Sequence, residues 1–455
     1  MPPARLEHNV KEAMQNSATA KKAIANELDL GGKFARTRDQ LTLFALRAGA
    51  TASKFLLAIY TAHYLSLSDL GIYGLLLGGT AIVPAVAGLG LSDWIVRRIV
   101  DVPLAQALPL VSTRCALSIL IQFVGQPLVL LGFMLAGRPL PPELALLCGA
   151  ILLLETLANE ICDVLIARRR ILLANWLSFL RQGFWPLPVI ALGMLVPQTR
   201  SLAMLLSFWC AALGATLIIL FFILLQQGRW RHVRVQPHLL PGALRGSLLL
   251  YVKDVSGTFS TFADRFFISM FLGLELSGVY SLFWSIANVV HSLVVVGVMQ
   301  THIAPLIIAA KERTGAQFRA LERKLRLEAG SWALLFAGAA AALAPVLITS
   351  LQRTLMHDHL PVFWLILLAT LLRIAADGYG YAVYAFHRDR AIALIALGGA
   401  LASAALNLLL TPVAGLWGSA LAYTLTGAGL LAARFIVTRS AARSLRSHSR
   451  DFHEA

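Results

Sequence analysis

The sequence predicts an all-α, polytopic membrane protein with twelve transmembrane helices arranged as two six-helix lobes in a parallel repeat. Three observations carry this. Of 455 residues, 58% are hydrophobic and only 14% charged, with a mean hydropathy of +0.73, which is more apolar surface than a soluble domain can hide from water. The 39 Lys and Arg residues alternate side between long apolar stretches. The chain also matches itself at an offset of 207 residues.

About 20 apolar residues cross some 30 Å of hydrocarbon as a helix, which pairs its backbone groups internally. That ruler places spans at 40–64, 71–93, 108–136, 143–166, 171–195, 201–226, 246–271, 277–305, 328–351, 361–385, 391–411 and 414–437. Basic clusters precede the first span (Lys21, Lys22, Lys33, Arg36, Arg38) and follow every second one, from Arg97/Arg98 and Arg168/Arg169/Arg170 to the tail beginning at Arg434. The other connections hold only Arg138, Arg200 and Arg353. By the positive-inside rule both termini are cytoplasmic, which an even number of spans requires.

The expected organisation is a cytoplasmic tail over 1–38, a first lobe over 39–226, a basic linker over 227–245, a second lobe over 246–438 and a tail over 439–455. The first forty residues are polar and mixed in charge, unlike a cleavable signal peptide, and Val10–Leu30 has only weak helical periodicity. Lys311 to Leu327 reads as an amphipathic surface helix, with Phe318, Leu321, Leu325 and Leu327 against Arg319, Glu322, Arg323, Lys324 and Arg326. Pro84, Pro127, Pro186 and Pro188 would bend their spans.

Cys115, Cys148, Cys162 and Cys210 lie in apolar stretches without ligand spacing, so neither a metal site nor a disulfide framework is expected. The net charge of +16 is spread over short loops rather than gathered on a domain, which argues against nucleic acid.

In the repeat, Arg38 to Leu75 aligns without a gap on Arg245 to Leu282, with 11 of 38 positions identical, among them Thr51/Thr258, Ser53/Ser260, Phe55/Phe262, Gly71/Gly278 and Tyr73/Tyr280. A shift of six spans is a parallel repeat, whose halves are related by an axis along the membrane normal, and carriers built this way bind cargo between the halves.

Charges within spans are costly, about 2.5 to 3.5 kcal/mol each on insertion scales, and face a bundle interior or a wet cavity. Arg47 and Lys54 share one face of the first span; Lys253, Asp254, Asp264 and Arg265 lie in the seventh; Arg373 and Asp377 are i, i+4 in the tenth. Arg47, Lys54, Lys253, Arg265 and Arg373 are the candidate cargo contacts, because guanidinium forks and ammonium groups match phosphate oxygens. Asp254, Asp264, Asp377 and Glu155 are the candidate gating or ion-coupling groups, with H⁺ or Na⁺ as the ion and no organic cofactor or catalytic group expected. Arg47 and Asp254 are repeat equivalents, so an ion pair between lobes competes with pairing within each lobe. Glu155 could equally be a hydrogen-bonded structural carboxyl, and His291 an interhelical hydrogen-bond partner. Arg114 and Asp163 sit near the cytoplasmic ends and are expected to snorkel.

The segments Tyr64 to Ile99 (YLSLSDLGIYG…), Ala263 to Val290 (ADRFFISMFLGLELSGVY…) and Leu406 to Leu425 (LNLLLTPVAGLWGSALAYTL) resemble the polysaccharide-transporter, O-antigen flippase branch of the multidrug/oligosaccharidyl-lipid/polysaccharide (MOP) exporter superfamily. The resemblance covers residues 38–440. It implies a V-shaped bundle of twelve helices in a bacterial inner membrane that flips undecaprenyl-diphosphate-linked sugar units toward the periplasm. It also implies a cationic central cavity, onto which Arg47, Lys54, Lys253, Asp254, Asp264 and Arg265 map by location. Partners would be the lipid-linked oligosaccharide, membrane lipids and a polysaccharide polymerase or copolymerase. The chain lacks the two extra C-terminal helices of the lipid II flippase relatives, and its N-terminal tail is longer than usual.

Two rivals stand beside this reading. A MATE-like, ion-coupled exporter of small molecules would favour an acidic, aromatic pocket. A membrane glycosyltransferase or polysaccharide polymerase needs catalytic groups on sizeable external loops, and the outward connections here are short.

Overall fold

A computed structural model describes residues 41–99, 102–135, 141–226, 231, 233–311, 315–386 and 388–451. The expected N-terminal tail, Val10–Leu30 included, Arg138, and linker residues 227–230 and 232 lie outside the described residues. Every regular element described is helical: α1 (Leu41–Tyr64), α2 (Leu67–Ala87), α3 (Leu91–Ile99), α4 (Leu104–Leu135), α5 (Pro142–Ala167), α6 (Ile171–Phe179), α7 (Pro186–Leu195), α8 (Leu202–Gln226), α9 (Leu240–Phe262), α10 (Asp264–Leu272), α11 (Leu274–Val294), α12 (Gln300–Lys311), α13 (Gly315–Ser350), α14 (Thr354–Asp358), α15 (Leu360–Ala385) and α16 (Asp389–Asp451).

Among the described residues, nine helical segments are long and apolar enough to cross a membrane. Three more spans escape this number. The segment Asp389–Ser440 folds back on itself at Gly415, whose φ of 59° and ψ of −138° reverse the chain. A Cβ on Gly418 would lie 2.0 Å from the Leu410 carbonyl oxygen, and one on Gly399 would lie 2.8 Å from Leu430, so two antiparallel helices meet across the turn. The fifth span is interrupted by a π segment at Leu180–Phe184, just before Pro186, and the seventh breaks between α9 and α10 at Ala263. Proline supplies no N–H to the turn before it, which relaxes the ladder into the wider π geometry. For the break at Ala263 the sequence offers no proline or glycine. The twelve expected spans are therefore all present.

Side chains on the rim show what solvent the fold is built for. Val413 is 86% exposed, Phe123 80% and Leu195 80%, which only a hydrocarbon surround makes affordable. This is a multi-pass membrane protein fold.

The halves meet along α2 and α11, which begin on the face opposite the basic loops. Ser66 and Asp69 form a capping box at the start of α2, and Gly273, at φ 100°, turns α10 directly into α11. A Cβ on Gly71 would stand 2.1 Å from the Leu274 carbonyl oxygen, and one on Gly278 would stand 2.2 Å from that of Leu67. Gly71 and Gly278, like Leu67 and Leu274, are 207 residues apart. This reciprocal contact is what a two-fold axis between equivalent halves produces. Gly74 continues the seam against Ser281, again its repeat equivalent.

The same face is clamped by the arginines of its short connections. Arg353 donates to the carbonyls of His63 at 3.3 Å and Leu65 at 2.9 Å, while Arg200 lies 4.3 Å from the Tyr64 ring centroid and donates to the Gly193 carbonyl at 2.7 Å. Both fasten the end of α1, so they serve packing on a face otherwise poor in basic residues.

One expectation needs correction. The stretch 311–327 is not a separate surface helix, because α13 runs unbroken from Gly315 to Ser350. Phe318 and Leu325 are buried as expected, but Leu327 is 63% exposed. Two residues beyond Leu325 is about 200° around a helix, which turns Leu327 outward.

The seam makes a direct prediction. In a chain whose four native cysteines are replaced, Gly74→Cys with Ser281→Cys should oxidise to a disulfide, since a Cβ at Gly74 would lie 2.6 Å from the Ser281 Cβ and a shift of about 1 Å reaches disulfide geometry. Adding Gly71→Leu should abolish the cross-link seen by peptide mass spectrometry. A cross-link indifferent to Gly71→Leu would refute the backbone seam.

Candidate functional site

Two chambers lie beside the lobe interface. The first, about 510 Å³, lies between the N-terminal lobe and α11 and is lined by Lys54, Glu155, Asn159, Gln182, Trp284 and Asn288 among others. The second, about 560 Å³ with a smaller neck of about 140 Å³, lies in the C-terminal half and is lined by Lys253, His291, Arg373, Asp377, Tyr423 and Arg434. Trp284 and Asn288 of α11 face both the first chamber and the neck of the second.

The π segment positions the first chamber's polar groups. Gly183 packs so closely on α1 that a Cβ there would come within 2.7 Å of the Ala50 Cα. This approach points Arg181 and Gln182 inward. Arg181 is 3% exposed; its Nη1 binds the Glu155 carboxylate and its Nη2 the Asn159 Oδ1 at 2.7 Å. Gln182 donates to Glu155 at 3.3 Å and accepts the Lys54 ammonium at 2.8 Å.

The inward-facing charges sort into two classes. The carboxylates are claimed by cations: Glu155 by Arg181, Asp254 by Lys253 at 3.1 Å, and Asp377 by Arg434 at 2.5 Å, with the His291 imidazole hydrogen-bonded to Asp377 at 2.9 Å. Arg47, Lys54 and Arg373 instead rest on neutral oxygens. Arg47 donates to Asn175 at 2.9 Å and, across the lobes, to Gln300 at 2.5 Å. Arg373 donates to the Thr261 hydroxyl at 2.9 Å and to the Ser260 carbonyl, and lies 4.4 Å from the Tyr423 ring centroid.

The structure thus brings Lys54 and Glu155 into one chamber and Lys253, Arg373 and Asp377 into the other. Arg47 engages amide oxygens, while Asp254 has Lys253 beside it. Arg373 does not take its i+4 neighbour Asp377, which goes to Arg434 and His291. His291 is an interhelical hydrogen-bond partner, as one reading held. Asp264 and Arg265 stand behind Trp284 rather than on the chamber wall. Arg114, expected to snorkel, is 4% exposed, 3.4 Å from Glu160 and bonded to Ser92 at 2.5 Å, because α2, α3 and α5 close over it. Asn175, Gln182, Gln300 and Arg434 went unrecognised from the sequence. Amides carry no charge to betray them inside a span, and Arg434 merges with the basic tail.

The chain shares its fold with solved transporters. The inward-facing conformation of a multidrug resistance MATE family transporter of the MOP superfamily superposes with a TM-score of 0.65 at 14% identity, covering 90% of this chain and 99% of that one. The outward-facing conformation of a multidrug resistance MATE family transporter gives 0.62 at 13% identity over 90% and 96%, and a MATE in the straight conformation 0.61 at 14% over 90% and 96%. No protein-family model and no curated protein matches the sequence. The fold of these solved structures, two six-helix lobes, is therefore that of this chain.

The Glu155–Arg181 pair is buried on both sides. Removing one partner strands a charge, so Arg181→Met should destabilise the protein by about 3–5 kcal/mol, and Glu155→Gln/Arg181→Met should recover most of it. Thermal unfolding in detergent measures this; equal loss in the single and double variants would show that the two do not act as a pair.

Proposed function

We propose that the protein is a flippase for lipid-linked anionic cargo, moving undecaprenyl-diphosphate-linked oligosaccharide units from the basic, cytoplasmic face to the opposite leaflet of a bacterial inner membrane by alternating access. One observation carries the reading: Arg47, Lys54 and Arg373 hold neutral acceptors while neighbouring carboxylates are taken by other cations. Their positive charge is left for a ligand, and a pyrophosphate has the charge and oxygen geometry to accept it. Amide acceptors are exchangeable at small cost, since neutral hydrogen bonds are worth about 1 kcal/mol net. The polar chambers, with Trp284, Asn288 and Tyr423 on their walls, suit the sugars attached to such a headgroup.

A dianionic headgroup leaving a negative interior gains about 2.3 kcal/mol per charge per 100 mV, so the membrane potential favours the outward step. Resetting the empty carrier is coupled, in this reading, to H⁺ or Na⁺ at Glu155, Asp254, Asp264 or Asp377. A polysaccharide polymerase or copolymerase is the proposed downstream partner. The second reading, a MATE-like exporter of small molecules, is favoured by the likeness in fold to multidrug resistance MATE family transporters.

The readings part in proteoliposomes. Lys54→Gln should reduce flipping of the lipid-linked oligosaccharide at least about tenfold, the effect of losing one charge-assisted hydrogen bond, while Lys54→Arg keeps most of it. Transport of organic cations with no flipping of the glycolipid would establish the exporter reading instead. The Arg47–Asp254 pair belongs, if it forms, to another conformation of the cycle. Arg47→Asp with Asp254→Arg should then restore flipping lost in each single variant, and continued inactivity of the double variant would remove the gate.

A further inference from the structure

A buried cation lies between the chambers and the outer seam. Arg265, in the first turn of α10, is 1% exposed, with its guanidinium 3.9 Å from the Trp284 ring centroid and 5.3 Å from that of Phe262. Its Nε, Nη1 and Nη2 have no hydrogen-bond partner among the described residues. The adjacent carboxylate does not fill the fork: Asp264 accepts the Tyr280 hydroxyl at 2.5 Å and the Arg265 backbone N–H at 2.9 Å. A guanidinium cannot shed its charge, and burying it with every donor idle is costly unless another state of the protein engages it.

Two barriers enclose the group. Trp284 stands between it and the cavity, since the same indole lines both chambers' inner walls. Toward the opposite face, Tyr280 lies one residue from Ser281 and two from Gly278, within the glycine seam of α2 and α11. At Gly71 and Gly278 that seam is backbone against backbone.

We propose that Arg265 is a latent oxyanion site for a phosphate or pyrophosphate group, hidden in this conformation and uncovered toward the opposite face when the seam parts. It rests on the flippase reading and extends it: the headgroup held by Arg47 and Lys54 on the basic side is received by Arg265 on the other. A planar fork with all its donors free matches a phosphate oxygen pair.

The test uses the full-length chain in proteoliposomes, with the native cysteines replaced and Ser269→Cys as reporter, one helical turn beyond Arg265 and 5% exposed. A membrane-impermeant thiol reagent should modify the reporter from the face opposite the basic loops. Inorganic pyrophosphate at millimolar concentration should slow this by about fivefold or more. Protection should persist in Arg265→Lys and vanish in Arg265→Gln, and Trp284→Ala should admit the reagent from the basic face. Modification that pyrophosphate does not slow, protection that survives Arg265→Gln, or no modification from either face would each overturn the site. Because the probe is free pyrophosphate, a failure to flip lipid-linked sugars would sink the flippase reading and leave this result standing.

Discussion

The glycine contact between α2 and α11 is the constraint on which the remainder of the architecture depends. Two carbonyl oxygens, of Leu67 and Leu274, occupy the positions that side chains at Gly278 and Gly71 would fill. With no Cβ on either helix the backbones touch, and the lobes close at that end. The contact is reciprocal under the repeat, so the two halves meet about one axis.

Within the cavity, electrostatics is sorted rather than merely accumulated. Burying a carboxylate beside a cation neutralises both, and Glu155, Asp254 and Asp377 are used in this way. Cations whose partners are amide, hydroxyl or carbonyl oxygens keep their field. Local geometry decides which cation falls into which class. The π segment delivers Arg181 to Glu155 and leaves Lys54 with Gln182, and the hairpin of α16 delivers Arg434 to Asp377 and leaves Arg373 with Thr261. A carrier for anions needs an arrangement of this kind, since a cavity with every charge paired has no electrostatic preference for its cargo.

The number, order and approximate limits of the spans were legible in the sequence because hydrocarbon thickness fixes the length of an apolar run. The repeat was legible for a related reason: Gly71/Gly278 and Tyr73/Tyr280 sit where the two halves pack closely, and both pairs are identical. Charges inside the spans were legible as a set, since a charge in a span signals a wet or paired environment. Their partners were not. Asn175 and Gln300 contact Arg47 from 128 and 253 residues away, and an uncharged amide leaves no trace in a hydropathy pattern. Arg114 was misjudged as a snorkelling residue because depth was counted along one helix, whereas its burial comes from three others.

The sequence by itself determined that this chain is a twelve-span, two-lobed membrane protein with internal charges, since apolar length, loop charge and repetition are properties of the chain taken in order. Only the tertiary structure decided which charges neutralise each other, which stay available, and that Arg265 lies sealed behind Trp284. Those outcomes depend on distances of a few ångströms between helices far apart in the chain, and Coulomb and hydrogen-bond energies vary too steeply over such distances for order along the chain to specify them.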